Sequence, residues 1–343
     1  MPCEESCRAI GVWMCLVFVL VLWHPLGTRA EPVVIKFATI APEGTPWMQL
    51  MEEMNQVIQQ QSKGQVMFRF YPGGVAGDER DVIRKIRINQ LQGGAFSGFG
   101  LGEVLPEIRV LELPRLFRDA EEADAVAAAL FDHFAARFAD QGYVLLSLND
   151  AGAVYVFSKA PLRTKEDMAR AKIWTWQGDP LPLALFKAYG IAPIPLALPN
   201  VLPSLQSGLI DACYGTPLSV LALQWFTKVK YRAALPITHV IGALLVSKQV
   251  WQQLTPEQQA LVQDTVRRYS TKATVDMRQH DQKSLTLLQA TAGIETVSVS
   301  EEEVTRMETI STQVRQELTG TLYPQALLDR VVQLRDQHRK ERR

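Results

Sequence analysis

From Pro256 to Ala292 the chain runs for 37 residues without a glycine and with no proline after its first position. Thr255-Pro256-Glu257-Gln258 opens this run as a capping box with proline in the first helical turn. Apolar or small side chains recur at Leu261, Thr265, Tyr269, Ala273, Met277, Leu285 and Leu288, the spacing of one helical face. A helix of that length spans about 55 Å. A lobe of about 120 residues is only about 30 Å across. The helix therefore crosses from one lobe to another, or it kinks. With 343 residues the chain is long enough for two lobes of ordinary size.

The rest of the chain alternates strand and helix. Val33–Thr39 reads as a buried first strand, Pro46–Gln61 as a helix capped by Thr45, and Val66–Tyr71 as a second strand. Asp78–Gln92 reads as an amphipathic helix, and Ala95–Gly100 as a glycine-rich strand end. That order argues for an α/β fold with mostly parallel sheets, in which ligands collect at the carboxyl ends of the strands. Gly142–Ser147 and Ala153–Ser158 read as two strands that carry the chain into a second lobe. Thr164 caps a short helix, and Lys172–Trp176 is a strand. Asp179-Pro180, Asn200 and Thr216-Pro217 open three helices. Thr238–Ser247 returns to the first lobe, Ser300 with Glu303 caps a further helix, and a last one follows Pro324. The expected division is residues 31–151 and 238–275 in lobe I, with 152–237 and 276–343 in lobe II. Two lobes crossed several times, with a long tie helix, make a hinge architecture.

Formal net charge is zero, from 36 basic and 36 acidic residues, so the chain as a whole lacks the basic excess of a nucleic-acid grip. At the amino end Ala9–Trp23 is an unbroken apolar run of 15 residues, followed by Thr28-Arg29-Ala30. This is the pattern of a secretory signal peptide cut after Ala30. The run is short for a membrane span, although Glu4 and Glu5 against Arg8 leave an uncleaved anchor open. Cutting there removes Cys3, Cys7 and Cys15, so the mature chain keeps Cys213 alone and has no internal disulfide. Cys213 lies in an apolar strand and reads as a core thiol.

Catalytic signatures are missing: no zincin pair of histidines, no nucleophile elbow, no phosphate loop and no metal-ligand cluster. Gly98-Phe99-Gly100-Leu101-Gly102 lacks dinucleotide spacing and reads as a place of close backbone approach. Asp211 reads as a strand-end carboxylate holding nearby amides, and His239 as either a cleft residue or a core histidine. The aromatics carry more information. Trp174 and Trp176 share one face of a strand, and Trp47, Tyr214 and Phe99 fall at strand ends or helix starts. With Asn149 and Thr216 they are the candidate ligand-binding residues. No catalytic residue, cofactor or metal ligand is assigned.

Three stretches define a family resemblance: Lys172-Ile173-Trp174-Thr175-Trp176-Gln177-Gly178-Asp179-Pro180, Tyr189-Gly190-Ile191-Ala192-Pro193-Ile194-Pro195-Leu196, and Leu202-Pro203-Ser204-Leu205-Gln206-Ser207-Gly208-Leu209-Ile210-Asp211-Ala212. Their order and spacing resemble the binding proteins of tripartite ATP-independent periplasmic (TRAP) transporters, with the series K-I-R, G-A-x-P-x-P-L and L-Q-x-G-x-x-D. Leu111–Phe117 and Trp251–Gln259 match two further family segments, and the likeness covers nearly the whole mature chain. It implies a two-lobed periplasmic binding-protein fold with a lobe-spanning helix. It also implies a non-enzymatic solute receptor in the periplasm and a membrane permease as partner. Members lacking the arginine resemble a branch paired with a periplasmic tetratricopeptide-repeat protein.

The match breaks where it matters most. The resemblance puts a carboxylate-gripping arginine at position 174, where this chain has Trp174. A second family arginine corresponds to Ala153, after Gly152. A buried carboxylate without a partner costs several kcal/mol, and indole offers a large apolar surface instead. The expected ligand is therefore hydrophobic or amphipathic, not a small organic acid. The helix start at Gly178-Asp179-Pro180 is the remaining place for an anion, and Asp179 is expected to fill it as its own cap. Two rivals stay open: a periplasmic lipid or hydrophobe carrier without a permease, and a secreted enzyme on a binding-protein fold.

Overall fold

The computed structural model describes residues 31–342; the apolar leader and its cut after Ala30 lie outside them. The chain opens with β1 (Val33–Ala38), α1 (Pro46–Gln61), β2 (Val66–Tyr71) and α2 (Glu79–Arg87). Thr45 and Asp78 cap the two helices through their side chains. Next come β3 (Gly93–Ser97), α3 (Gly98–Val104) and a 3₁₀ turn at Pro106–Glu112. They are followed by α4 (Ala120–Ala129), α5 (Phe131–Asp140) and β4 (Tyr143–Ser158). The second half holds α6 (Lys165–Arg170), β5 (Trp174–Trp176), α7 (Pro180–Ala188), β6 (Ile194–Leu196), α8 (Val201–Ser207), β7 (Ala212–Gly215) and α9 (Pro217–Ala222). Then follow β8 (Tyr231–Ala233), β9 (Thr238–Ser247), α10 (Lys248–Trp251), α11 (Pro256–Ala290), β10 (Glu295–Val297), α12 (Glu301–Leu318) and α13 (Gln325–Glu341).

The large sheet is mixed. Its order is β10-β8-β4-β9-β3-β1-β2, with β7 also paired to β4, while β5 and β6 form a small parallel pair. β1 lies parallel to both β2 and β3, as the β-α-β order requires. β9 runs antiparallel to β3 and to β4, and β4 runs antiparallel to β7 and β8. The expectation of mostly parallel sheets thus holds for the first three strands and gives way around β4 and β9, whose pairing is non-local. β4 is also one 16-residue strand where two were expected. Irregularities between Leu145 and Ser147 and between Asp150 and Gly152 absorb the polar stretch Asn149–Gly152 without ending the ladder. Because β4 pairs with β9 along most of its length and with β7 and β8 at its far end, these strands join the two halves of the molecule.

α11 performs the tie expected of it. It is 35 residues long, opened by the Thr255–Gln258 capping box. Near its start Val262 and Val266 bury into a core built from Ile35, Phe37, Met54 and Phe68. Near its end Leu288 buries into a separate core with Phe157, Trp174, Val201 and Ile210. One rigid rod is thereby packed into both lobes. Among the described residues no helix is long and apolar enough to cross a membrane.

Candidate functional site

A cavity of about 360 Å³ lies between the two halves, within the usual range for small-molecule sites. One wall comes from the end of β1 and from α1, through Ile40, Trp47, Met51 and Met54. The facing wall comes from β5, the end of β7 and α9, through Trp174, Trp176, Tyr214 and Leu218. β4 contributes Ser147, Asn149, Asp150 and Ala151, β9 contributes Val240–Leu244, and α11 runs past with Tyr269, Ala273 and Met277.

The aromatic wall is a stacked assembly. Trp174 lies against Tyr214 at 4.7 Å between centroids and 23° between planes, and edge-on to Trp225 at 5.5 Å. Trp176 stacks on Phe99 at 4.6 Å. Each indole N–H is satisfied: Trp174 Nε1 donates to Leu196 O at 3.0 Å, and Trp176 Nε1 to Asp78 Oδ2 at 2.8 Å. Tyr214 OH accepts from Trp176 N, and burial pushes its phenol pKa above the ordinary value. Trp174 is only 1% exposed, so it sits in the wall more as a structural member than as an open surface.

The expected residues come together with one exception. Trp47, Asn149, Trp174, Trp176, Tyr214 and Thr216 all line the cavity, whereas Phe99 does not. The strand expected through Gly100 ends at Ser97, and Phe99 belongs to the first turn of α3, behind Trp176. Glu79 causes this change. Its carboxylate accepts from Ser97 N, Ser97 Oγ and Gly100 N at 2.8, 2.8 and 2.7 Å, which anchors a helix start. Gly100 makes room for it, since a Cβ there would stand 2.5 Å from Glu79 Oε2, and Gly98 makes room for a second acid, Glu112, at 2.1 Å. Burial raises the Glu79 pKa to about 7 despite these three donors.

The other polar members are arranged as follows. Asn149 Nδ2 donates to Thr274 Oγ1 at 3.0 Å, and Asn149 Oδ1 accepts from Ser270 Oγ on α11. Thr216 accepts from Ser219 N as the cap of α9. Asp179 caps α7 through Leu181 N and also accepts from Arg109 at 3.1 Å, so the helix start that could have held an anion carries its own carboxylate. Arg109 is itself held, with Nε 2.9 Å from Glu112 Oε2 as an ion contact, and it lies outside the cavity wall. Among the described residues, neither lysine nor arginine lines the cavity. Asp211 accepts from Lys172 N at 2.7 Å, and Cys213 is a buried free thiol; both have structural roles.

The sequence missed Asp150 and His239 as a pair. His239 Nδ1 lies 3.0 Å from Asp150 Oδ1, and both side chains are buried. His239 is a core histidine that lies behind the lining, whereas Asp150 lines the cavity. The available signal was an imidazole inside the apolar strand Thr238–Ser247 and an acid in the polar stretch Asn149–Gly152.

Two lobes tied by one long helix, with a largely apolar cavity between them, define a solute-binding protein. The chain belongs to bacterial extracellular solute-binding protein family 7 (DctP), whose model matches residues 37–320. These are the periplasmic solute receptors of TRAP transporters; they work with membrane permease components and are not enzymes. The chain is 30% identical over 219 residues to the 2,3-diketo-L-gulonate-binding periplasmic protein of Escherichia coli (strain K12), covering 62% of this chain and 65% of that one. It is 22% identical over 292 residues to the C4-dicarboxylate-binding periplasmic protein of Rhodobacter capsulatus, covering 84% and 87%. A TRAP periplasmic solute binding protein from Pseudomonas putida F1, with bound D-glucuronate, superposes with a TM-score of 0.78 at 27% identity, covering 87% of this chain and 96% of that one.

Proposed function

We propose that this receptor captures an apolar or amphipathic small molecule and not an organic acid, and presents it to a TRAP permease. The carrying observation is that, among the described residues, no lysine or arginine lines the cavity, while two acidic residues, Glu79 and Asp150, do line it. A carboxylate ligand desolvated there would meet apolar rings and the Asp150 carboxylate, a cost of several kcal/mol without a cationic partner. The likeness to acid-binding relatives argues the other way, but it carries no cation to the cavity of this chain. Trp174 in place of the family arginine fits the proposal, and its depth in the wall assigns it to shaping the cavity rather than to gripping a head group.

The proposal includes export by the cleavable leader and closure about the β4–β9 crossing, with residues 31–151 and 238–275 moving against the remainder. A tetratricopeptide-repeat partner rests on the resemblance alone, and no surface is assigned to it. A carrier that works without a permease is not favoured by membership of this family. The test is mass spectrometry of molecules extracted from protein purified out of its own periplasm. The expected compound is apolar and lacks a carboxylate; a sugar acid or dicarboxylate recovered in equimolar amount overturns the proposal.

A further inference from the structure

Asp150 is a buried carboxylate with one oxygen in use. Its residue is 5% exposed, and Oδ1 faces His239 Nδ1 at 3.0 Å. Oδ2 is buried and has no hydrogen-bond partner in the protein. Among the cavity-lining residues, Glu79 is the other acid, and its carboxylate is already occupied by Ser97 and Gly100. Asp150 is thus the acidic group at the cavity that retains unused acceptor capacity, and a buried acceptor left unpaired is costly.

The surroundings of Asp150 make the same demand. Asp124 on α4 accepts from Asp150 N at 3.1 Å, and Asp281 on α11 accepts from Leu218 N at 2.9 Å. Both carboxylates feel the charge of Asp150. Against these three acids stand Arg278, bonded to Asp124, and the His239 imidazole. Carboxylates therefore outnumber the cationic side chains at this end of the cavity, and a ligand cation or donor placed here meets favourable potential while an anion meets repulsion.

We infer that Asp150 is the polar anchor of the site and that the ligand is an apolar molecule with a head group that donates a hydrogen bond, an ammonium above all and a hydroxyl next. This rests on the apolar-cavity reading above and narrows it. The opposite wall supplies the apolar body, through Trp47, Met51 and Met54, and the β4–β9 crossing supplies the head-group contact. Asp150 belongs to β4 beside its irregularity at Gly152, so a ligand held there bears directly on the strands that join the two halves.

The test is calorimetric titration of the wild-type protein with octylammonium, octanol and octanoate, three chains of equal length that differ in the head group. Octylammonium is expected to bind at least tenfold tighter than octanoate, with octanol between them. Asp150→Asn is expected to weaken octylammonium at least tenfold and octanol by a smaller factor, which erases most of the ammonium preference. Octanol binding as tightly as octylammonium, with octanoate weaker than both, overturns the inference while sparing the apolar-cavity reading; octanoate binding as tightly as octylammonium overturns both. Failure of all three probes overturns both. The head-group order in the wild type decides the matter even if Asp150→Asn does not fold.

Discussion

Two buried acidic groupings flank the same cavity and differ in how completely the protein satisfies them. Around Glu79, Arg109, Glu112 and Asp179 the protein supplies its own partners. Glu79 accepts three short hydrogen bonds, and Arg109 lies between Asp179 at 3.1 Å and Glu112 at 2.9 Å. Around Asp150, Asp124 and Asp281 a buried carboxylate oxygen of Asp150 is left over with no cation against it, whereas Arg109 Nε, also without a hydrogen bond, still lies 2.9 Å from Glu112 Oε2 as an ion contact. The first grouping fixes backbone: it anchors the start of α3, caps α7 and, through Glu112 and Ile241 N, ties β9. The second retains acceptor capacity beside the cavity. Buried charge alone therefore does not mark a binding site; unspent hydrogen-bonding capacity beside a cavity does.

This comparison breaks most readily at Arg109. Replacing it with methionine leaves Glu112 and Asp179 buried and unpaired, so Arg109→Met is expected to lower stability by about 3–5 kcal/mol in urea unfolding. A loss below about 1 kcal/mol would show that the first grouping is not self-contained.

The second expected effect is a pH dependence. Burial raises Glu79 from 4.5 to about 7 and Asp281 from 3.8 to about 6. In both cases the folded state holds its proton longer than the unfolded chain does. The stabilisation is fully present below the unfolded pKa and is lost as pH rises through the folded one. The melting temperature should therefore fall between pH values of roughly 4 and 7, with Glu79 contributing up to about 3 kcal/mol. Glu79→Gln should flatten the upper part of that decline and Asp281→Asn the lower part. A melting temperature that rises across the window would contradict both assignments.

At Asp150 the expected stability change is small. Asn at this position can still face His239, so Asp150→Asn should alter unfolding free energy by less than about 1 kcal/mol while changing head-group preference. A large loss of stability would move Asp150 into the structural grouping. Least affected should be the exposed pair of Lys272 and Glu53, which links α11 to α1 at 3.0 Å. Lys272→Ala is expected to leave the unfolding midpoint within error, since such pairs are screened by solvent.

Local chemistry explains which elements could be read from sequence. Thr45, Asp78, Thr164, Asp179, Thr216, Thr255 and Ser300 cap the helices they announce, because a cap is settled by a few neighbouring residues. The tie helix was legible from its length and stop signal. α4 was hidden because its alanines give a weak amphipathic pattern, whereas α5 carried an unread signal in Phe134 and Phe138, four residues apart and both buried. The continuity of β4 through Asn149–Gly152 depends on its long-range ladder with β9. At the site, Trp47, Trp176 and Tyr214 were legible as aromatics near element ends. The helix at Phe99 was not, because Glu79, far back in the chain, imposes it. The depth of Trp174 was hidden for a similar reason: Tyr214 and Trp225 cover its ring from other segments.

The central claim is that this member of an acid-associated family has a cavity that rejects acids. Titrating the wild-type receptor in parallel with D-glucuronate and with octanol tests it most directly. The account expects heat of binding from octanol and none from glucuronate at millimolar concentration. Micromolar binding of glucuronate, with octanol silent, would contradict it.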